Sequence, residues 1–164
     1  MLYPFNAGEV FKIAVEIEEN GRRFYEMAAK KSQDPEVRKV FADLGAEEVK
    51  HKARFEQLLS ELPASATDAT VWDPDNEIDQ YLQMMADMHI FRLPEYVDEL
   101  FEEIEDEEGA LQLAIQFEKD SIIFFVEMQT LAENDQSREK INWLVKEEQA
   151  HLRRLSLELY NLPV

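Results

Sequence analysis

The sequence contains no cysteine, so it can form no disulfide, thiolate metal site, thiol nucleophile or iron–sulfur cluster. Basic residues are also scarce. There are 17 Lys and Arg against 36 Asp and Glu, which gives a formal net charge of -19. A chain this acidic is repelled by the phosphates of nucleic acids and by anionic membrane surfaces. We therefore expect no nucleic-acid partner and no membrane partner.

Long hydrophobic runs are missing as well. No apolar stretch approaches the roughly 18 residues that span a bilayer. Residues 1–6 lack the charged and then apolar pattern of a secretory signal peptide. We therefore expect a cytoplasmic protein, and the length of 164 residues favours a single domain over residues 1–164.

What the sequence does contain is helical periodicity, because apolar residues recur every three or four positions over four long segments. These segments predict helices at about residues 7–31, 35–62, 107–133 and 135–160. The first two form one αα-hairpin (about 7–62) and the last two form another (about 107–160). Residues 63–106 contain prolines and a small, polar run, which predicts a long crossover with short helices near 77–88 and 94–105.

The two hairpins repeat one another at an offset of one hundred residues. The matched pairs are Ala14/Ala114, Glu18/Glu118, Phe24/Phe124, Leu44/Leu144, Glu47/Glu147, Glu48/Glu148, His51/His151 and Arg54/Arg154. A single hairpin cannot bury its own apolar face, so we predict that the two pack together into one all-α four-helix bundle.

A Glu-x-x-His motif occurs in each hairpin, at residues 48–51 and 148–151. Residues three apart on a helix share a face, with about 5–6 Å between their Cβ atoms, so both side chains can reach one metal ion. One such motif is more often a solvated surface pair, but here it occurs twice. A further glutamate also precedes each motif by thirty residues. The candidate metal ligands are Glu18, Glu48, His51, Glu118, Glu148 and His151.

All six candidate ligands lie at predicted core positions, where an ionised carboxylate loses several kcal/mol of solvation unless it is paired or metal-bound. Four carboxylates beside two histidines would repel one another, so some would be protonated in a metal-free protein. Two divalent cations would balance the four negative charges. Oxygen and imidazole donors without sulfur suit iron or manganese.

Other polar residues near the motifs have simpler interpretations. Glu47 and Glu147 point about 100° away from the ligand glutamates, which predicts solvated side chains rather than ligands. His89 is predicted to be an ordinary packing or surface histidine. Tyr25 lies two turns after the first candidate ligand, so its hydroxyl could hydrogen-bond a metal-bound carboxylate or its ring could simply fill the core. Its counterpart Phe125 allows only the second role.

These segments resemble the rubrerythrin-like branch of the ferritin-like di-iron proteins. Residues 16–25 resemble the first-helix motif, residues 117–125 resemble the third, and the Glu-x-x-His pairs resemble the second and fourth. The resemblance implies a ferritin-like bundle that binds two iron ions per chain. It implies one ion at Glu18 and one at Glu118, bridging roles for Glu48 and Glu148, and His51 and His151 as the remaining ligands.

The resemblance further implies a di-iron oxidoreductase in which ferrous iron reacts with O2 or H2O2. Rubrerythrins typically receive electrons from a rubredoxin-like module with paired cysteines, so we expect a separate electron donor here. They also carry a glutamate where this sequence has Ser121. Gly21 and Ser121 are therefore expected to leave room for oxygen, peroxide or water. By resemblance alone, we expect a homodimer.

Three alternatives use the same residues differently. The bundle could oxidise ferrous iron and pass it to storage, hold two manganese ions in a catalase-like centre, or bind no metal and act as an interaction module. Iron loading, metal analysis and sensitivity to chelators distinguish these functions.

Overall fold

The computed structural model describes residues 7–62, 80–81, 84, 87, 89, 93–132 and 135–162. Strands are absent from these residues, and the prediction of an all-α protein is confirmed. The helices are α1 (Ala7–Lys31), α2 (Pro35–Glu61), α3 (Pro94–Glu102), α4 (Glu107–Met128) and α5 (Asp135–Asn161), and a 3₁₀ turn (Gln129–Leu131) follows α4. None of these helices is long and apolar enough to cross a bilayer.

Side-chain caps fix where the long helices begin. Asp34 accepts hydrogen bonds from the first-turn amides of α2, and Pro35 occupies the first helical position, where its missing N–H is no loss. Asp106 caps α4 through the Gly109 amide at 2.8 Å. Glu107 then accepts from the amides of residues 33 and 34, both at 2.7 Å, and so ties the turn of the first hairpin to the start of the second.

The internal repeat is visible in the helix bounds. Helix α4 begins one hundred residues after α1, and α5 both begins and ends one hundred residues after α2. Within each hairpin the two helices pack mainly against each other, and contacts of α1 with α4 and of α2 with α5 join the hairpins. The buried aliphatic and aromatic side chains of the four long helices form one continuous core.

Two predicted helices extend too far. Helix α3 ends at Glu102 instead of residue 105, because the chain turns inward to bury Ile104, whose carbonyl accepts a hydrogen bond from Lys31. Helix α4 ends at Met128 instead of residue 133. There the Thr130 hydroxyl donates to a backbone carbonyl at 2.7 Å, and the last turn tightens to 3₁₀.

The crossover is described only in part. The predicted loop at residues 63–76 lies outside the described residues, as does most of the short helix predicted near 77–88. Within that segment, Gln80, Tyr81, Met84 and Asp87 have helical backbone.

Helices α1 and α4 approach closely at Gly21. A Cβ atom built on Gly21 would lie 2.5 Å from Cζ and 2.8 Å from Cε1 of Phe117, whose ring is fully buried. Gly45 on α2 is also buried, but the nearest atom to its Cβ would be Tyr25 Cβ at 3.4 Å, which is an ordinary contact. Of these two glycines, Gly21 is therefore the one that packing requires.

We expect Gly21→Ala to be less stable than Gly45→Ala by about 1–3 kcal/mol, because the added methyl must displace the Phe117 ring. Gly45→Ala is the matched control, since both changes gain up to about 1 kcal/mol of helix propensity. Thermal or urea unfolding of the two variants measures the difference. Equal stability of the two variants would contradict the close approach.

Candidate metal centre

The six predicted ligands converge at the middle of the bundle. Helices α1 and α4 each contribute one glutamate, and α2 and α5 each contribute a Glu-x-x-His pair. Every one of the six side chains is at most 2% exposed. The residues brought together are Glu18, Glu48, His51, Glu118, Glu148 and His151.

The histidines divide the ligands into two halves. His51 Nδ1 lies 3.4 Å from Glu18 Oε2, and His151 Nδ1 lies 3.4 Å from Glu118 Oε1. The two imidazole rings stack, with centroids 5.1 Å apart and planes at 13°. Each half thus pairs one histidine with the glutamate from the neighbouring helix of its own hairpin.

The two motif glutamates lie between these halves. Glu148 approaches His51 Nδ1 to 2.7 Å and His151 Nδ1 to 3.1 Å. Glu48 lies 3.6 Å from His51 Nδ1 and 3.5 Å from His151 Nδ1. One donor atom from each of these four residues falls within 4.8 Å of the others, so the four could hold a metal ion together.

Most of the side-chain oxygen and nitrogen atoms that could bind a metal in this cluster lack hydrogen-bond partners. Nine buried side-chain atoms are unpaired in the described part of the chain, and all nine belong to the six predicted ligands. They approach one another closely but without the alignment that a hydrogen bond requires. Buried polar atoms are normally paired, so a cluster of unpaired donors that face one point fits a bound cation.

Neighbouring groups separate the four carboxyl groups into two kinds, because burial opposes ionisation of all four. Burial and the charges of Glu48 and Glu148 hold the pKa of Glu18 well above its ordinary value. Burial and the charge of Glu148 likewise raise the pKa of Glu118. Burial also opposes ionisation of Glu48 and Glu148, but contacts with both imidazoles, and with Glu18 in the case of Glu48, hold both pKa values below the ordinary one. Without metal, Glu18 and Glu118 therefore favour the protonated form, and Glu48 and Glu148 favour the ionised form.

The histidines supply the balancing charge. Burial lowers the pKa of His51, but the charge of Glu148 and the contacts with Glu148, Glu18 and Glu48 together outweigh burial and raise that pKa. Contacts with Glu118 and Glu148 raise the pKa of His151 in the same way, despite burial. Two imidazolium ions then face two carboxylates, which agrees with the expectation that some carboxyls are protonated when no metal is present.

The side chain of Tyr25 packs in the core and also contacts one of the predicted ligands. Its ring is fully buried among Phe24, Phe41 and Phe117, and its hydroxyl donates a hydrogen bond to Glu118 Oε1. Burial raises the pKa of Tyr25 well above its ordinary value, and the carboxyl groups of the centre add to this effect, so the hydroxyl keeps its proton.

The prediction that Glu47 is merely solvated is wrong. Its side chain is half-buried, and its Oε2 lies 2.8 Å from His151 Nε2. The helical-wheel argument placed Glu47 correctly away from the ligand face of α2. It could not show that this direction leads to α5 of the other hairpin. Glu147 makes no such contact with His51 in the described part of the chain, where the indole of Trp143 packs against that ring instead.

The expectation of open space beside the ligands is also wrong at Gly21, because the ring of Phe117 occupies the volume that a side chain would fill. At the repeat position, Ser121 Oγ lies 3.1 Å from His89 Nε2. His89 is buried and packs edge-on against Phe117 and Phe124, so its prediction as a packing histidine is confirmed.

Comparison with known proteins agrees with the geometry. Among solved structures, a Thermotoga maritima protein described as ferritin-like and diiron-carboxylate has a similar fold, with a TM-score of 0.76 and 20% sequence identity. The match covers 98% of this chain and 99% of that one. Among curated proteins, no relative matches the chain. The family model for rubrerythrin matches residues 9–159, so the chain belongs to the rubrerythrin family.

Proposed function

We propose that this protein is a di-iron oxidoreductase that uses ferrous iron to reduce O2 or H2O2. The observation that carries the proposal is the set of nine unpaired, buried donor atoms contributed by four glutamates and two histidines. A structural core without a metal would leave these groups desolvated with no compensation. Two divalent ions would compensate all of them at once.

The donor set limits which metal the centre would hold. Four carboxylates and two imidazoles provide oxygen and nitrogen donors without sulfur, which suits iron or manganese. Glu18 and Glu118 would each bind one ion, Glu48 and Glu148 would lie between the ions, and each histidine would complete one half. When bound, a pair of ferrous ions supplies two electrons. With two protons, these electrons reduce one H2O2 to two molecules of water.

The surrounding residues would support this chemistry by holding the ligands still and keeping water out. Tyr25 fixes one oxygen of Glu118 and leaves the other free. Aromatic rings on the helices that carry the ligands, including Phe55 and Phe125, pack against each other in the core. We further propose that a separate one-electron donor returns the centre to its reduced form, because no cysteine is available to bind a rubredoxin-type iron.

We expect Glu48→Ala combined with Glu148→Ala to abolish binding of the iron pair, because both residues contact both halves of the centre. The unmutated protein should retain about two irons per chain after anaerobic loading and desalting, measured by elemental analysis. The control is Glu56→Ala with Glu139→Ala, which removes two exposed carboxylates from the same helices. Full iron retention in the first double variant would contradict the proposal. Metal analysis of protein purified without added metal distinguishes iron from manganese.

Metal uptake should release about four protons per pair of divalent ions, because two protonated carboxyls and two imidazolium ions must all deprotonate. Their raised pKa values favour the protonated, metal-free state as pH falls, so the affinity should decrease towards acid pH. Calorimetric titration in buffers of different ionisation enthalpy counts the protons. Binding without proton release would show that these four groups are not the ligands.

A further inference from the structure

The ligands of the centre follow the internal repeat, but their supporting contacts do not. We use "His151 position" for the half formed by Glu118 and His151, and "His51 position" for the half formed by Glu18 and His51. The distance between histidine Nδ1 and glutamate oxygen is 3.4 Å in both halves. The differences lie in the residues that contact these ligands from outside the centre.

At the His151 position, Glu47 determines which nitrogen of the histidine faces the centre. A carboxylate can only accept hydrogen bonds, so His151 Nε2, 2.8 Å from Glu47 Oε2, must be the protonated nitrogen. When the imidazolium gives up its second proton on metal binding, Nδ1 is then the nitrogen that offers a lone pair to the centre. The other oxygen of Glu47 lies 3.5 Å from Arg154, which also donates to Asp43 at 2.7 Å, so Glu47 is itself held in place.

The glutamate of the same half is also supported. The buried Tyr25 hydroxyl donates to Glu118 Oε1, while Oε2 remains unpaired. The repeat counterpart of Tyr25 is Phe125, which carries no hydroxyl and packs against Phe55. Both ligands that belong solely to the His151 position therefore have a hydrogen-bonding partner behind them.

In the part of the chain that the structure describes, the His51 position has neither of these supports. Glu147 makes neither a hydrogen bond nor an ion pair with His51 among the described residues. Trp143 occupies the repeat position of Asp43, and its ring lies edge-on to His51, with centroids 6.2 Å apart. Arg54, the counterpart of Arg154, lies over the Trp143 ring, 5.1 Å from its centroid.

We propose that the two metal positions differ in affinity, so that the ion at the His151 position is retained while the ion at the His51 position exchanges. This inference rests on the proposed metal centre and adds to it an order of loading and release. Removing a group that hydrogen-bonds to a metal ligand and orients it typically lowers the metal affinity 10–100-fold. The supports of the His151 position, Glu47 and Tyr25, act as positioning residues for its ligands.

The test is an anaerobic calorimetric titration of the metal-free protein with Co²⁺ as a stand-in for ferrous iron. We expect two binding steps whose dissociation constants differ by at least about tenfold. Glu47→Gln should weaken the tighter step by about 10–100-fold and leave the weaker step unchanged. Glu147→Gln is the matched control, because it removes the same charge from the equivalent site of the other hairpin, and it should change neither step.

A second variant and a structural readout make the assignment independent of any one substitution. Tyr25→Phe should weaken the same tighter step as Glu47→Gln. In crystals prepared with one Co²⁺ per chain, anomalous scattering should be stronger beside His151 than beside His51. Equal peaks, or a stronger peak beside His51, would overturn the inference.

The remaining outcomes separate this inference from the proposed function. If the unmutated protein binds two Co²⁺ ions with equal affinity, or if Glu147→Gln weakens binding as much as Glu47→Gln, the inequality is wrong and the metal centre stands. If the unmutated protein binds no Co²⁺ and no ferrous iron, the proposed metal centre fails, and the inference fails with it.

Discussion

The burial of four glutamates and two histidines at one point is the constraint on which the rest of the structure depends. Each long helix must present a ligand near its middle, and a shift of one residue along any helix would rotate that ligand by about 100° out of the centre. The hydrogen bonds from the amides of Gln33 and Asp34 to Glu107 hold the two hairpins in register. The helix caps and the turns between helices thus serve the placement of the ligands.

The packing around the ligands increases the effect of every polar contact at the centre. Tyr25 is enclosed by Phe24, Phe41 and Phe117, so its hydrogen bond to Glu118 is shielded from water. In such surroundings a hydrogen bond is electrostatically stronger than in water, and an unpaired polar group is correspondingly more costly. Differences in the hydrogen bonds made to the predicted ligands can therefore have a measurable effect on the affinity of the proposed metal positions.

The sequence predicts the four long helices, their pairing and the cluster of six predicted ligands. It can do so because the hydrophobic period and the repeat at one hundred residues are both visible in the order of residues along the chain. It does not predict contacts that depend on how the hairpins meet. The partner of Glu47 is His151, more than one hundred residues away, and the ring that fills the space at Gly21 comes from α4. At the end of α4 the Thr130 hydroxyl bonds to the carbonyl of Glu127 and the chain tightens into a 3₁₀ turn, and the hydrophobic period does not encode this change.

The internal repeat has one more consequence. If the bundle were assembled from two identical hairpin chains, every substitution would appear twice, and a tyrosine behind one ligand would require a tyrosine behind the other. Joining the hairpins in one polypeptide removes that restriction. Tyr25 can then have Phe125 as its repeat counterpart, and Asp43 can have Trp143, while the six predicted ligands stay matched between the hairpins. Covalent linkage thus lets sequence variation change the surroundings of one histidine–glutamate pair without changing those of the other.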